Sequence, residues 1–174
     1  GGVVATTEQE PWIGFKSEKL VWQLEEETLE TDTPLLMERF VSKTDRTVTD
    51  RLTGQQGVFD LTEQLATLQQ QVQLNALKIP LQTNSDLAVW NVSEGTVAID
   101  KAVQIQQPER RLTATSNQGQ LNLNTQILVL NGNVRAISQN RQSALAADEV
   151  TWNIQTQDVE GRGNVAYQQQ DPPA

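Results

Sequence analysis

Four polar side chains recur along the sequence at a constant spacing of 31 residues, namely Asp60, Asn91, Asn122 and Asn153. Carboxylate and amide oxygens are ligands that Ca²⁺ accepts, so one interpretation of this row is a ladder of metal sites. Only one of the four side chains carries a negative charge, and a single carboxylate is too little charge to bind a cation tightly. We therefore interpret the row as a stacked ladder of solvated amides and expect no metal.

Two pairs of neighbouring carboxylates suggest the acid and base chemistry that cleaves glycosidic bonds, Asp148 with Glu149 and Asp158 with Glu160. Adjacent strand residues point to opposite faces, so Asp148 and Glu149 cannot act on one substrate together. We interpret the second pair as solvated surface groups. The chain has no histidine and no cysteine, which excludes the common nucleophile and base triads as well as thiol chemistry. We expect no catalytic activity and no cofactor.

The apolar residues follow the same 31-residue period. A row of large side chains is followed two residues later by a second row, and five valines share a third register. The three rows are Phe59, Trp90, Leu121 and Trp152; Leu61, Val92, Leu123 and Ile154; and Val41, Val72, Val103, Val134 and Val165. A fixed period over this many positions is the signature of a repeat architecture.

The first repeat departs from the period. Trp22 matches the row of large side chains but lies 68 residues before Trp90, where two periods would give 62. Insertions between repeats fall in loops. We therefore place the six additional residues in the acidic segment between Glu25 and Pro34, which is predicted to form a longer loop.

Within each repeat, alternating apolar and polar residues predict a short strand and a longer strand, each with one buried face. Gly132 and Gly163 interrupt the long strands and predict a bulge or bend at each position. The proline-containing segments 75–82 and 106–108 are expected to form crossovers between units. Stacked units of this kind predict an all-β fold, an elongated β-sandwich or β-jellyroll with two facing antiparallel sheets around an apolar interior.

Composition and charge exclude some classes of function and of structure. The formal net charge is -9, and no Lys/Arg cluster could neutralise a run of phosphates, so nucleic acid is not an expected partner. The longest aliphatic run, residues 127–130, is far shorter than the roughly 20 residues of a membrane helix. Residues 1–17 lack periodicity and are expected to be a flexible lead-in. Residues 18–170 are predicted to form a single β-jellyroll domain and residues 171–174 a tail.

Several stretches of the repeats resemble the LptA/LptC/OstA-like family of lipopolysaccharide-export proteins. The resemblance is carried by short motifs, which are residues 111–114 (RLTA), 121–124 (LNLN), 130–134 (LNGNV), 146–153 (AADEVTWN) and 161–165 (GRGNV), with a weaker copy at 51–54 (RLTG). It covers residues 48–168 well and 18–47 poorly. Chain length and the acidic N-terminal region look more like the LptC branch, which is associated with the inner membrane, than like the shorter, soluble LptA branch.

This resemblance implies a twisted β-jellyroll, the OstA-like β-taco, whose interior holds the acyl chains of lipopolysaccharide or a similar glycolipid. It implies a location in the periplasm, with a tether to the inner membrane supplied by a segment absent from this chain. The implied partners are the other bridge proteins of the export system and an inner-membrane ABC transporter. Homo-oligomers formed by pairing of sheet edges are a further expectation.

The inward rows are the candidate lipid-binding interior. Its members are Phe59, Leu61, Trp90, Val92, Val97, Ile99, Leu121, Leu123, Leu128, Leu130, Trp152 and Ile154. Their alternative role is to pack against one another as a dry core, which would suit a structural or adhesive β-solenoid. A carbohydrate-active β-solenoid enzyme is the third hypothesis, and it would require several carboxylates in one cleft.

The last predicted long strand, residues 159–168, has no following strand to cover its outer edge. Exposed strand edges are templates for pairing with another chain. The candidate partner edge therefore comprises Val159, Val165, Ala166 and Tyr167, and we expect it to bind a strand of another bridge protein or of a second copy.

Overall fold

The computed structural model describes residues 2–8 and 10–169. This part of the chain contains seventeen antiparallel strands, one short 3₁₀ helix (Pro108–Arg110) and no α-helix, so the predicted all-β class is confirmed. The first nine strands are β1 (Val3–Thr6), β2 (Ile13–Ser17), β3 (Val21–Gln23), β4 (Thr28–Thr31), β5 (Leu35–Phe40), β6 (Val48–Gly54), β7 (Gln56–Asp60), β8 (Leu65–Ala76) and β9 (Leu81–Asn91). The remaining eight are β10 (Thr96–Ile99), β11 (Val103–Gln107), β12 (Leu112–Ser116), β13 (Gln118–Asn122), β14 (Ile127–Ser138), β15 (Ser143–Asn153), β16 (Asp158–Arg162) and β17 (Ala166–Gln169). The predicted tail at 171–174 lies outside the described residues.

Hydrogen bonds arrange the strands in two facing layers. Layer 1 contains β3, β4, β7, β10, β13 and β16, and layer 2 contains β1, β2, β5, β6, β11, β12 and β17. The four longest strands, β8, β9, β14 and β15, cross from one layer to the other, because each pairs with layer 1 strands over one half and layer 2 strands over the other. They hold the layers together along one side, which we call the corner. This arrangement is the predicted β-jellyroll.

Residues in the left-handed region of backbone conformation turn the long strands at the corner. In β14, Gly132 and Asn133 have φ angles of 78° and 50°, and the pairing with β15 shifts register at this point. In β8, Gln70 and Gln71 have φ angles of 62° and 52° and produce the same shift against β9. Such bulges bend a strand and increase its twist. The bend predicted at Gly132 is confirmed.

Opposite the corner, layer 1 ends in tight turns, and the polar row described above caps them. The Asn122 Oδ1 atom accepts hydrogen bonds from the backbone N–H groups of Asn124 and Thr125, at 2.9 and 2.8 Å. The other members of the row accept similar bonds within their own turns: Asp60, Asn91 and Asn153. A short polar side chain that bonds the backbone two residues on is a typical turn former. The four polar side chains therefore stabilise the turns of layer 1.

Neighbouring turns are also bonded to one another. The last residue of each turn has a positive φ angle, and its carbonyl accepts a bond from the first backbone N–H of the next turn. The four donor and acceptor pairs are Leu61 and Glu27, Val92 and Gln64, Leu123 and Gly95, and Ile154 and Gln126, with lengths of 2.9, 3.0, 2.8 and 2.9 Å. This repeated bond is the structural form of the 31-residue period.

The N-terminal segment differs from the expectation of a flexible lead-in. The described part of residues 1–17 contains β1 and β2, and β2 pairs with β5. Ile13 and Phe15 are buried, and the Phe15 ring centroid lies 4.8 Å from that of Phe59 in the opposite layer. The apolar alternation of β2 involves only these two side chains, which is too short a pattern to predict a strand.

The six additional residues of the first repeat lie in a different loop from the one predicted. Arg39 faces Asp50 in layer 2, as Ala76 faces Leu81 one repeat later. Ten residues separate the first pair along the chain and four separate the second. The prediction for the acidic segment is therefore wrong, and the insertion forms the loop between β5 and β6. Val41 lies in this loop and is 49 % exposed, so it does not share the buried valine register.

Two further expectations are corrected in the second half of the chain. The long strand predicted at 159–168 is broken into β16 and β17, because Gly163 and Asn164 have φ angles of 67° and 45° and bend the chain, as predicted for Gly163. The proline-containing segments are not crossovers. They form hairpin connections, since β8 pairs directly with β9 and β11 with β12.

Candidate functional site

The predicted interior rows lie between the two layers. Eleven of the twelve side chains are buried, and Leu61 is half-buried and packs against the same core. Burying an aliphatic or aromatic side chain of this size contributes about 1.5–3 kcal/mol relative to leaving it exposed. The rows therefore hold the layers together, and what else they contact depends on their position along the molecule.

In the N-terminal and central repeats the interior is filled by side chains. Trp90, Val97 and Leu121 are all 0 % exposed. On the side opposite the corner, which we call the seam, Arg39 Nη1 donates to Asn124 Oδ1 at 3.4 Å and so links layer 2 to a turn of layer 1. Asp50, itself buried, holds the same guanidinium through Nη2 at 2.5 Å. The seam is closed at this point.

At the C-terminal end the layers enclose a cleft of about 460 Å³, a volume within the usual range for ligand sites. Its walls are mainly apolar side chains from both layers. Layer 1 and the segment after β16 contribute Leu130, Val150, Trp152, Val159 and Val165, and layer 2 contributes Leu112, Ala114, Ala136, Leu145 and Tyr167. The polar lining groups are Ser138, Asn140, Ser143 and Gln157 together with two arginines.

The cleft brings together residues that the sequence assigned to two different roles. Leu130 and Trp152 come from the predicted lipid-binding interior. Val159, Val165 and Tyr167 come from the predicted partner edge, and their side chains line the cleft as well. Of the predicted edge residues, Ala166 is the one that does not. The other ten predicted interior residues lie deeper in the core or toward the turns.

Two arginines at the cleft were missed by the sequence reasoning, which found no basic cluster. Arg110 follows β11 in the 3₁₀ helix, and Arg141 lies in the connection between β14 and β15. The two connections are neighbours along layer 2, since the Gln139 N–H donates to the Arg111 carbonyl at 3.1 Å, and both arginines line the same cleft. The signal was present in the sequence, since Arg141 follows Arg110 by one 31-residue period.

The C-terminal edge of both layers is open within the described residues. β16 and β17 each pair with β15 alone, so each has one unpaired side. Arg162 donates to Glu160 Oε1 at 2.9 Å, and this hydrogen bond raises the pKa of the guanidinium. These surface charges are weak protection for an edge whose Val159 and Tyr167 are 49 % and 59 % exposed.

The candidate catalytic carboxylates lie outside the cleft. Asp148 accepts a bond from the Asn164 side chain at 2.8 Å, and Glu149 faces Arg162 at 3.7 Å. Asp158 and Glu160 also have local partners, the Thr156 hydroxyl and Arg162. No Asp or Glu is among the lining residues of the cleft. The two pairs therefore help to order the C-terminal bend and its neighbouring turn.

A larger groove, about 590 Å³, runs along the outer face of layer 2 beside the corner and is lined mostly by amide and hydroxyl side chains such as Gln73, Asn84 and Thr115. It lacks the apolar walls of the C-terminal cleft.

Within residues 2–8 and 10–169 no group of three or more His, Cys, Asp or Glu side chains could hold a metal ion. The same residues include no helix long and apolar enough to cross a membrane.

One comparison with known proteins concerns the same part of the chain as the cleft. Residues 98–171 match the family model described as "Lipopolysaccharide-assembly, LptC-related", and this range contains every lining residue of the cleft. The match confirms the resemblance to LptA/LptC-like proteins that the sequence motifs indicated. No curated protein matches the chain. The solved structure of LptH from Pseudomonas aeruginosa, the LptA homologous periplasmic component of the conserved lipopolysaccharide transport device, is similar with a TM-score of 0.38 and 12 % identity over 91 % of this chain and 95 % of that one.

Proposed function

We propose that the chain is a non-enzymatic lipid carrier and bridge component resembling LptC. It holds acyl chains of lipopolysaccharide or a similar glycolipid in the C-terminal cleft and passes them across the periplasm toward the outer membrane. The observation that carries the proposal is the cleft itself, which has apolar walls from both layers and opens at the same end as the unpaired strand edges. A carrier needs both an apolar site for its cargo and an end that continues into the next component.

The proposal includes a setting and partners. The chain acts in the periplasm beside the inner membrane, to which a segment outside this chain tethers it. It receives cargo from an inner-membrane ABC transporter and hands it to another bridge protein that pairs with β16 and β17. These assignments rest on the family match at residues 98–171 and on the position of the open edges.

Photocrosslinking tests whether lipid occupies the cleft. A photoreactive amino acid replaces Trp152, which lines the cleft, or Asn153, which is the next residue of the same strand and points to the other face, in cells that make labelled lipopolysaccharide. Capture is expected at position 152 and not at 153. A third position, Trp90, lies in the filled part of the interior and does not line the cleft, so it is expected to capture little.

The outcomes separate the hypotheses. Equal capture at positions 152 and 153 would indicate adsorption to the surface and would contradict the proposal. Capture at none of the three positions, with lipid absent from an organic extract of the purified protein, would favour the dry-core β-solenoid instead.

A further inference from the structure

The charge of the C-terminal cleft is opposite to that of the whole protein. The chain carries 22 acidic and 13 basic residues, but the lining of the cleft contains two arginines and no carboxylate. The surrounding segment shows the same bias, since residues 101–147 contain five basic residues and a single acidic one, Glu109. A protein with a net charge of -9 therefore presents a locally positive, apolar cleft.

The two arginines lack internal partners. Among the described residues, neither Arg110 nor Arg141 has a carboxylate oxygen within 4.0 Å, whereas Arg39, Arg51 and Arg162 all form ion pairs. Both side chains come from the connections at the seam, while the apolar walls lie farther in, on the strands. The cleft is thus amphipathic, with guanidinium groups on the connections at the seam and aliphatic and aromatic groups on the strands.

We propose that Arg110 and Arg141 form a subsite for the phosphate of a phosphorylated, acylated lipid whose chain lies between Leu145 and Trp152. The inference rests on the proposed function and adds to it the chemistry of the head group and its orientation. Guanidinium groups bind phosphate oxygens through paired N–H donors. A phosphate monoester carries a charge of about -1.5 to -2 at neutral pH, which matches two uncompensated arginines better than a single carboxylate does.

The test is calorimetric titration of the full chain with two single-chain probes that differ only in the phosphate. The probes are 1-lauroyl lysophosphatidic acid and 1-monolauroylglycerol, each used below its critical micelle concentration. The phosphate probe is expected to bind roughly 4- to 25-fold more tightly, which corresponds to about two- to fivefold for each exposed arginine. The preference should fall as salt is raised, because the arginines are exposed.

The variant Arg110→Gln/Arg141→Gln should bind both probes alike, with its affinity for monolauroylglycerol unchanged. The matched control is Arg135→Gln, which removes the same charge from an exposed position of β14 that does not line the cleft, and it should keep the preference. Circular dichroism checks that each variant retains its strands.

Two results would overturn the subsite while leaving the proposed function intact: equal binding of the two probes by the parent chain, or an equal loss of preference in the control and in the double variant. If the parent chain bound neither monolauroylglycerol nor the phosphate probe, both the subsite and the acyl-chain cleft would be refuted.

Discussion

Two ion pairs on the same two strands differ in how deeply they are buried. Arg39 and Asp50 have side chains that are 14 % and 3 % exposed, and the Thr49 hydroxyl also donates to Asp50 at 2.8 Å. Arg51 and Glu38 form their pair on the other face, with exposures of 44 % and 22 %. The buried pair matters to the fold, since it also anchors the bond that closes the seam at Asn124.

Replacing Arg39 with alanine leaves Asp50 buried without its partner. We expect the free energy of unfolding to fall by about 3–5 kcal/mol, because an uncompensated buried charge is costly. Arg51→Ala on the neighbouring strand is the control, and it should cost less than about 1 kcal/mol. Urea unfolding followed by tryptophan fluorescence measures both. Similar losses for the two variants would contradict the role given to the buried pair.

At the scale of single residues, the sequence predicted which side chains of each strand face the interior. The alternation around Trp90 and Trp152 predicted which side chains are buried, because the spacing of side chains along a strand has a period of two. The width of the interior was not readable, since the same apolar rows fill the core at Trp90 and line the cleft at Trp152, although both side chains are buried. That difference depends on how closely the two layers approach, which no single repeat encodes.

Among the elements, the bend of β14 depends on a residue without a side chain. Gly132 has a φ angle of 78°, and a Cβ placed there would lie 2.8 Å from Asn117 Nδ2. Gly132→Ala should therefore lower the free energy of unfolding by at least about 1–2 kcal/mol, the cost of the left-handed conformation for a residue with a Cβ. Thermal unfolding followed by circular dichroism measures the change.

The adjacent position supplies the control for this bend. Asn133 also has a positive φ angle, of 50°, but its side chain is already accommodated. Asn133→Gly should change the free energy of unfolding by less than about 0.5 kcal/mol, because both residues adopt this conformation readily. A loss as large as that of Gly132→Ala would show that the bend is sensitive to any change of sequence.

The elements that the sequence predicted well are those that repeat. Four turns and the strands beside them recur with identical spacing, so the same pattern appears several times in the sequence and its prediction does not depend on any single copy. The elements predicted poorly occur once, as β2 does, or break the period, as does the loop between β5 and β6. Their residues pair correctly only in the context of the neighbouring strands, and a lone short pattern such as Ile13 and Phe15 carries too little information.

For the whole molecule, the open edges should support assembly. We expect the chain to self-associate as its concentration rises, through pairing of a strand with the edge of β17. Adjacent strand residues direct their N–H groups to opposite sides, so one of the two variants Ala166→Pro and Tyr167→Pro should block the open edge while the other breaks the pairing with β15.

Sedimentation equilibrium measures the association of these variants, and circular dichroism checks their folding. Weakened association in one folded variant is the expected result. The open-edge interpretation would be wrong if both variants associated as strongly as the parent chain.

The hydrogen bonds between successive turns give the molecule a fixed increment of length. Each 31-residue unit adds two strands to each layer, and strands lie about 4.8 Å apart, so one unit lengthens the molecule by roughly 10 Å. Fractions of this increment are not accessible, since each layer grows only by whole strands and a complete unit is needed to return the chain to the same side of the molecule. The length of the molecule therefore changes only in steps of one repeat unit. Gain or loss of a whole unit changes the length of the molecule, whereas an addition such as the loop between β5 and β6 leaves that length unchanged.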